Sequence, residues 1–113
     1  MSETIFGKII AGEIPSTKIY EDDLCIAIDD INPQAPVHSL VIPKKPIAML
    51  VEANQKDQAL LGHLLLVAAK IAQDKGVGEA FRTIINNGAE GGQTVFHLHV
   101  HILGGFKMSE GIV

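Results

Sequence analysis

The chain reads as an antiparallel α+β domain, on three observations. Five short runs rich in Val, Ile, Leu and Phe, bounded by Gly, Pro, Asn and Asp, have the length and punctuation of strands. Two further stretches carry apolar residues at helical spacing behind capping side chains. The order is helix, three strands, helix, two strands, without the strand–helix–strand alternation of a parallel sheet.

Ile5, Phe6, Ile9 and Ile10 predict a short opening helix capped by Ser2 or Thr4, and Gly12 and Pro15 end it. Residues 18–21 and 24–28 predict two strands joined at Asp22-Asp23. The segment Asn32-Pro33-Gln34-Ala35-Pro36 follows, whose two prolines forbid regular pairing. Residues 39–42 predict a third strand that closes at Pro43. Asn54 with Asp57 three residues on predicts a helix start, and Leu60, Leu64, Val67 and Ile71 form one stripe until Gly76 supplies a left-handed stop. Residues 81–85 predict a fourth strand, residues 86–93 a glycine-rich loop, and residues 95–103 a fifth strand.

Composition narrows the function classes. At 113 residues and 47% hydrophobic, the chain suffices for one domain over residues 1–113, burying about 65% of its extended surface without a metal or disulfide staple. A net charge of −4, no basic run longer than Lys44-Lys45 and few aromatics exclude a nucleic-acid polymer as partner. Cys25 is the one cysteine, and the start Met1-Ser2-Glu3-Thr4 lacks the basic and apolar regions of a signal peptide. The longest apolar stretch, residues 64–69, is far below the ~18 residues needed to span a bilayer. The expectation is a cytoplasmic protein with no membrane segment.

The last strand carries the chemistry. His97, His99 and His101 alternate with Leu98, Val100 and Ile102, so on a strand the three imidazoles share one face and line a surface while the aliphatics enter the core. Several titratable rings side by side are costly without a chemical reason. A zinc site fits poorly, because the first and third positions on a straight strand lie roughly 13 Å apart, too far for one ion; no metal or other cofactor is expected. A neutral imidazole flanked by two others instead suits nucleophilic attack on an anion, with neighbours lowering its pKa. The preceding Gly91-Gly92-Gln93-Thr94 adds backbone N–H groups that can approach phosphate without side chains in the way. His63, at the edge of the long helix's stripe, reads as structural.

The run from Gly91 to Gly105 resembles the His-φ-His-φ-His-φ-φ signature of the histidine triad superfamily, where φ is apolar. Thr4-Ile5-Phe6-Gly7-Lys8-Ile9-Ile10, Glu13-Ile14-Pro15, Tyr20-Glu21-Asp22-Asp23, Pro33-Gln34-Ala35-Pro36 with His38, Val41-Ile42-Pro43-Lys44-Lys45 and Leu61-Gly62-His63-Leu64 also resemble its nucleotide-binding Hint branch. The resemblance implies a five-stranded antiparallel sheet extended across a homodimer. It also implies hydrolysis of purine nucleoside 5′-phosphoramidates, releasing AMP or GMP and an amine. His99 matches the histidine that becomes nucleotidylated, and His101 the third triad position, a phosphate contact. His97 and His38 match histidines that orient the nucleophile and share its proton. Asn86, Gly92, Gln93 and Thr94 match phosphate-contacting positions, with the Thr94 hydroxyl the candidate proton donor to the departing nitrogen. Asp30 and Ile31 match ribose- and base-side positions, with Ile5, Phe6, Ile28 and Leu40 as apolar walls. From the residues alone Asp30 reads as a solvated turn residue, although its carboxylate suits two ribose hydroxyls.

Two departures stand out. Ile28 replaces a frequent aromatic, and Ser109-Glu110-Gly111-Ile112-Val113 replaces a Trp-Pro-Pro tail common in eukaryotic members. Two other readings use the same residues: a nucleotide-binding module that regulates a partner, and a dinucleoside polyphosphate hydrolase or nucleotidyl transferase.

Overall fold

The computed structural model describes residues 4–112, and Ser2, one of the two expected caps, lies outside them. Helix α1 spans Ile5–Ile10. It is capped by Thr4, whose hydroxyl accepts from the Gly7 N–H at 3.1 Å. Three strands follow: β1 (Lys18–Glu21), β2 (Cys25–Asp29) and β3 (Val37–Pro43). A single 3₁₀ turn at Gln55–Asp57, closed by the reciprocal Asn54–Asp57 capping box, launches α2 (Gln58–Asp74). After α2, Gly76 turns the chain at φ +82°. The chain then forms β4 (Phe81–Ile84) and β5 (Val100–Gly104).

All five strands join one antiparallel sheet in the order β1-β2-β3-β5-β4. Alternation along the strands divides its two faces. Cys25, Ala27, Val41, Leu98, Val100 and Ile102 pack with Leu64, Val67 and Ile71 of α2. Ile26, Ile28, Leu40 and Ile42 point to the opposite face and pack with Phe6 and Ile9 of α1. The register aligns Ile28 with Leu40, Leu40 with His101, and His101 with Ile84. Crossing the sheet on the α1 face therefore leads from an aliphatic end to an imidazole within about 10 Å, two strand spacings.

The histidine run differs from the expected strand over residues 95–103, because β5 begins only at Val100. The preceding backbone leaves the ladder for other partners. The Leu98 N–H donates to the Ile47 carbonyl at 2.7 Å, and the His97 carbonyl is taken by the ring of His99. Side-chain alternation survives this departure; the flat solvent-facing row does not. His97 and His99 are buried and His101 is partly buried.

On the other side of the molecule, Asp22 is a structural knot between the β1–β2 turn and α2. Its carboxylate accepts from the Tyr20 hydroxyl, the His63 ring at 2.7 Å and the N–H groups of Leu24 and Cys25. These bonds hold the Asp22 carboxyl well below the usual carboxylate range despite the opposing effect of burial. His63 thus has the structural post expected of it, and burial pushes the Cys25 thiol up to about 12, leaving it inert. No helix among the described residues is long and apolar enough to cross a membrane.

Candidate active site

Between α1 and the sheet lies a cavity of ≈ 710 Å³, within the size range of small-molecule sites. Ile5, Phe6, Ile28 and Leu40 line its apolar part, and His38, His99, His101, Gly92 and Thr94 its polar part. Asp30 and Ile31 also border it. A more open depression of ≈ 660 Å³ beyond the end of α2 offers Glu79 alone as an ionisable wall residue, too little for paired acid–base chemistry.

His99 is held by its own chain. Its Nδ1 sits 2.7 Å from the His97 carbonyl, an acceptor only, so the ring proton is on Nδ1 and donates to that oxygen. Nε2 is left with its lone pair. The edge of the Phe6 ring packs on His99 at 4.9 Å between centroids, and His101 stands at the same separation. Burial is the main cause that lowers the His99 pKa, against the stabilising carbonyl bond. The ring is therefore neutral near pH 7 and available as a nucleophile.

His97 reaches the same centre indirectly. Its Nε2 donates to the Pro43 carbonyl at 2.7 Å, and its ring packs near Phe6 rather than lining the cavity. Orientation of His99 comes from the His97 backbone, not its imidazole. His38 makes no hydrogen bond to His99: its Nε2 lies 2.9 Å from His101 Nδ1 and 3.4 Å from an Asp30 oxygen. Its own Nδ1 accepts from the Gln34 N–H at 3.0 Å. Asp30 has the turn role read from the sequence, its other oxygen accepting from the Asn32 N–H at 2.8 Å, and it borders the cavity as well. Burial, then the adjacent His99 and His38, push the His101 pKa down to about 4.

The glycine-rich loop is built differently from a simple nest of free N–H groups. The N–H groups of Gly91, Gly92 and Gln93 all close turns onto Gly88 or Ala89. The side chain of Gln93 is buried and spent internally, donating to the Ala48 and Val95 carbonyls and accepting from the Gly88 N–H. Asn86 donates to the Gly91 carbonyl, and neither it nor Gln93 lines the cavity. Gly92 does line it, at φ +93°, where a side chain would also crowd the Asn86 amide at 3.2 Å. The loop thus brings bare backbone and Thr94 to the polar end, with Gln93 as its rivet.

Ile14, Pro15, Ser16, Asp29, Asn32, Gln34 and Val95 also line the cavity, a contribution that sequence reasoning missed although Glu13-Ile14-Pro15 is part of a recognised motif. Among the described residues, two groups of side chains have donor atoms close enough together to hold a metal ion: Asp30, His38 and His101, and Asp22, Cys25 and His63. Neither group includes His97 or His99, each of which has a ring nitrogen bonded to a backbone carbonyl. The first group lies in the cavity, and the second is the satisfied knot already described.

A HIT domain model matches residues 11–108. An uncharacterized HIT-like protein of Synechocystis is 65% identical over 107 residues, covering 95% of this chain and 94% of its own. A HIT family hydrolase from Clostridium thermocellum superposes with a TM-score of 0.95 at 47% identity, covering 100% of this chain and 99% of that one. A histidine triad protein from Clostridium difficile gives 0.90 at 47% identity, over 98% and 99% of the two chains.

Proposed function

The chain belongs to the HIT domain family, and from that membership and the site just described we propose that it hydrolyses purine nucleoside 5′-phosphoramidates. The observation that carries the reading is the His99 ring, fixed through Nδ1 to the His97 carbonyl with Nε2 unbonded in a cavity that joins an aliphatic part to one lined by His38, His99 and His101. The aliphatic end suits a purine, Asp30 the ribose hydroxyls, and the end at Gly92, Thr94 and His101 the phosphate. Its family neighbours include proteins named as hydrolases.

In the first step His99 Nε2 attacks the α-phosphorus, a new nitrogen–phosphorus bond forms, and the bond to the amine breaks. The Thr94 hydroxyl delivers the proton that the departing nitrogen takes. In the second step water attacks the nucleotidyl-histidine, the bond between phosphorus and Nε2 breaks, and the proton lost by the water returns to the Thr94 oxygen, releasing AMP or GMP and restoring both the free ring and the hydroxyl. No step requires a metal. Buried surroundings favour neutral imidazoles and strengthen polar contacts to the phosphoryl oxygens. The working form is a homodimer, because β4 ends the sheet with an unpaired edge and Leu66 on α2 is 73% exposed.

The test compares turnover of an adenosine phosphoramidate, a diadenosine polyphosphate and a nucleotidyl sugar, with rapid quench to trap the adduct. The expected result is preference for the phosphoramidate and an acid-labile adduct on the peptide carrying His99. His99→Ala should lose several orders of magnitude in kcat while still binding AMP. Preference for another substrate, or an adduct elsewhere, overturns the reading.

A further inference from the structure

We propose that the backbone amide of Gln34 fixes the ring tautomers of both His38 and His101, making Gln34 a positioning residue for the phosphate end of the site. The chain of hydrogen bonds determines each proton in turn. An amide N–H only donates, so His38 Nδ1, 3.0 Å from the Gln34 nitrogen, must present its lone pair. The single proton of neutral His38 is therefore on Nε2. That proton is directed at His101 Nδ1, 2.9 Å away, which must in turn accept. His101 is left with its proton on Nε2, the opposite tautomer to His99, whose proton is held on Nδ1 by the His97 carbonyl. One ring of the pair is thereby a lone-pair donor and its neighbour an N–H donor.

The segment that presents the Gln34 amide is closed at several points. The Asp30 N–H donates to the His38 carbonyl at 2.9 Å, and the Asn32 N–H to the Asp30 carboxylate. The Gln34 side chain is spent on the Asn32 carbonyl. Pro33 and Pro36 restrict the backbone on both sides of the amide. The side chain at position 34 thus braces the turn while the backbone sets the protons. The low pKa of His101 keeps it neutral near pH 7, so its tautomer, not its charge, determines what it offers a ligand.

This inference rests on the phosphoramidate reading only for what the His101 Nε2–H meets, a phosphoryl oxygen; the tautomers belong to the ligand-free protein. Two-bond ¹H–¹⁵N spectra of the ligand-free protein near pH 7 should show His38 and His101 protonated on Nε2, and His99 on Nδ1. Gln34→Ala retains the N–H and should retain this pattern. Gln34→Pro removes it and should bring Nδ1-protonated His38 into the spectrum, with kcat reduced at least about tenfold, the equivalent of one lost hydrogen bond. His38→Ala should release His101 into mixed tautomers, and His38→Gln, whose amide can still donate to His101, should restore its Nε2–H form and recover part of the lost turnover. Nδ1-protonated His101 in the unaltered protein, or identical spectra for Gln34→Ala and Gln34→Pro, overturns the proposal. Should Gln34→Pro fail to fold, persistence of pure Nε2–H His101 in His38→Ala overturns it equally. The expected tautomers together with no phosphoramidate turnover would refute the proposed activity and leave the tautomer lock standing.

Discussion

Mild acid should destabilise this fold well before its carboxylates titrate. His97, His99 and His101 all have pKa values lowered chiefly by burial, so the unfolded chain binds more protons than the folded one below the ordinary histidine value. Stability contributed by the neutral rings is fully present above about pH 6.5 and falls as pH drops toward the folded values. For His101 the fall from 6.5 to about 4 is worth about 3 kcal/mol at 1.36 kcal/mol per unit, and about 2 kcal/mol of it is lost between pH 7 and 5. His97 and His99 act in the same direction. That is a large share of the 5–15 kcal/mol typical of a domain. Asp22, Asp29 and Asp57 have lowered pKa values, so their losses fall in a more acidic window. Urea unfolding at about pH 7 and about pH 5, followed by circular dichroism, reads the difference. His101→Gln should remove about 2 kcal/mol of the pH dependence, whatever it does to absolute stability. Equal stability of the unaltered protein at both pH values, or an equal pH slope in the variant, would refute the argument.

Other expectations follow from the same cavity and sheet. Asp30→Ala should weaken AMP binding by about 1 to 3 kcal/mol, the cost of ribose hydroxyls left without partners, with less effect on the chemical step. Calorimetry giving an unchanged AMP dissociation constant would remove Asp30 from ligand recognition. Thr94→Val should slow amidates with poor leaving groups more than those with good ones, and uniform slowing would make the hydroxyl a phosphate contact only. Sedimentation at micromolar protein should find a dimer; a lone 12.1 kDa species sinks the edge-pairing argument.

Much of the architecture was legible because each element carries a local signal that tertiary packing reinforces. Thr4, the Asn54–Asp57 box and Gly76 all perform the capping roles expected of them. The aliphatic and imidazole partners of residues 97–102 separate by alternation even where the strand label fails. What escaped was long-range hydrogen bonding. Nothing local in Gln93 reveals that the Ala48 carbonyl, 45 residues away, consumes its amide, nor does Pro43 advertise its carbonyl as the partner of His97. Gln34 is invisible for a deeper reason: its part is played by a backbone N–H that every residue except proline carries. Motif spacing can nominate side chains, whereas the partner that fixes their protons is chosen by the fold.

The late start of β5 illustrates how a departure from regular structure creates chemistry. In an uninterrupted ladder the His97 carbonyl would be committed to a neighbouring strand, leaving no local acceptor for the His99 ring. Because the chain at residues 96–99 runs outside the ladder, that carbonyl is free to bind Nδ1 at 2.7 Å. The ladder resumes at Val100, so His101 is registered opposite Leu40 and within reach of His38. Two adjacent imidazoles therefore have their tautomers fixed by different partners, His99 by a carbonyl acceptor on an unpaired stretch of its own chain and His101 by an N–H donor from across the sheet. Restoring strand pairing at His97 would strengthen the sheet and remove the acceptor that keeps the lone pair of His99 on Nε2.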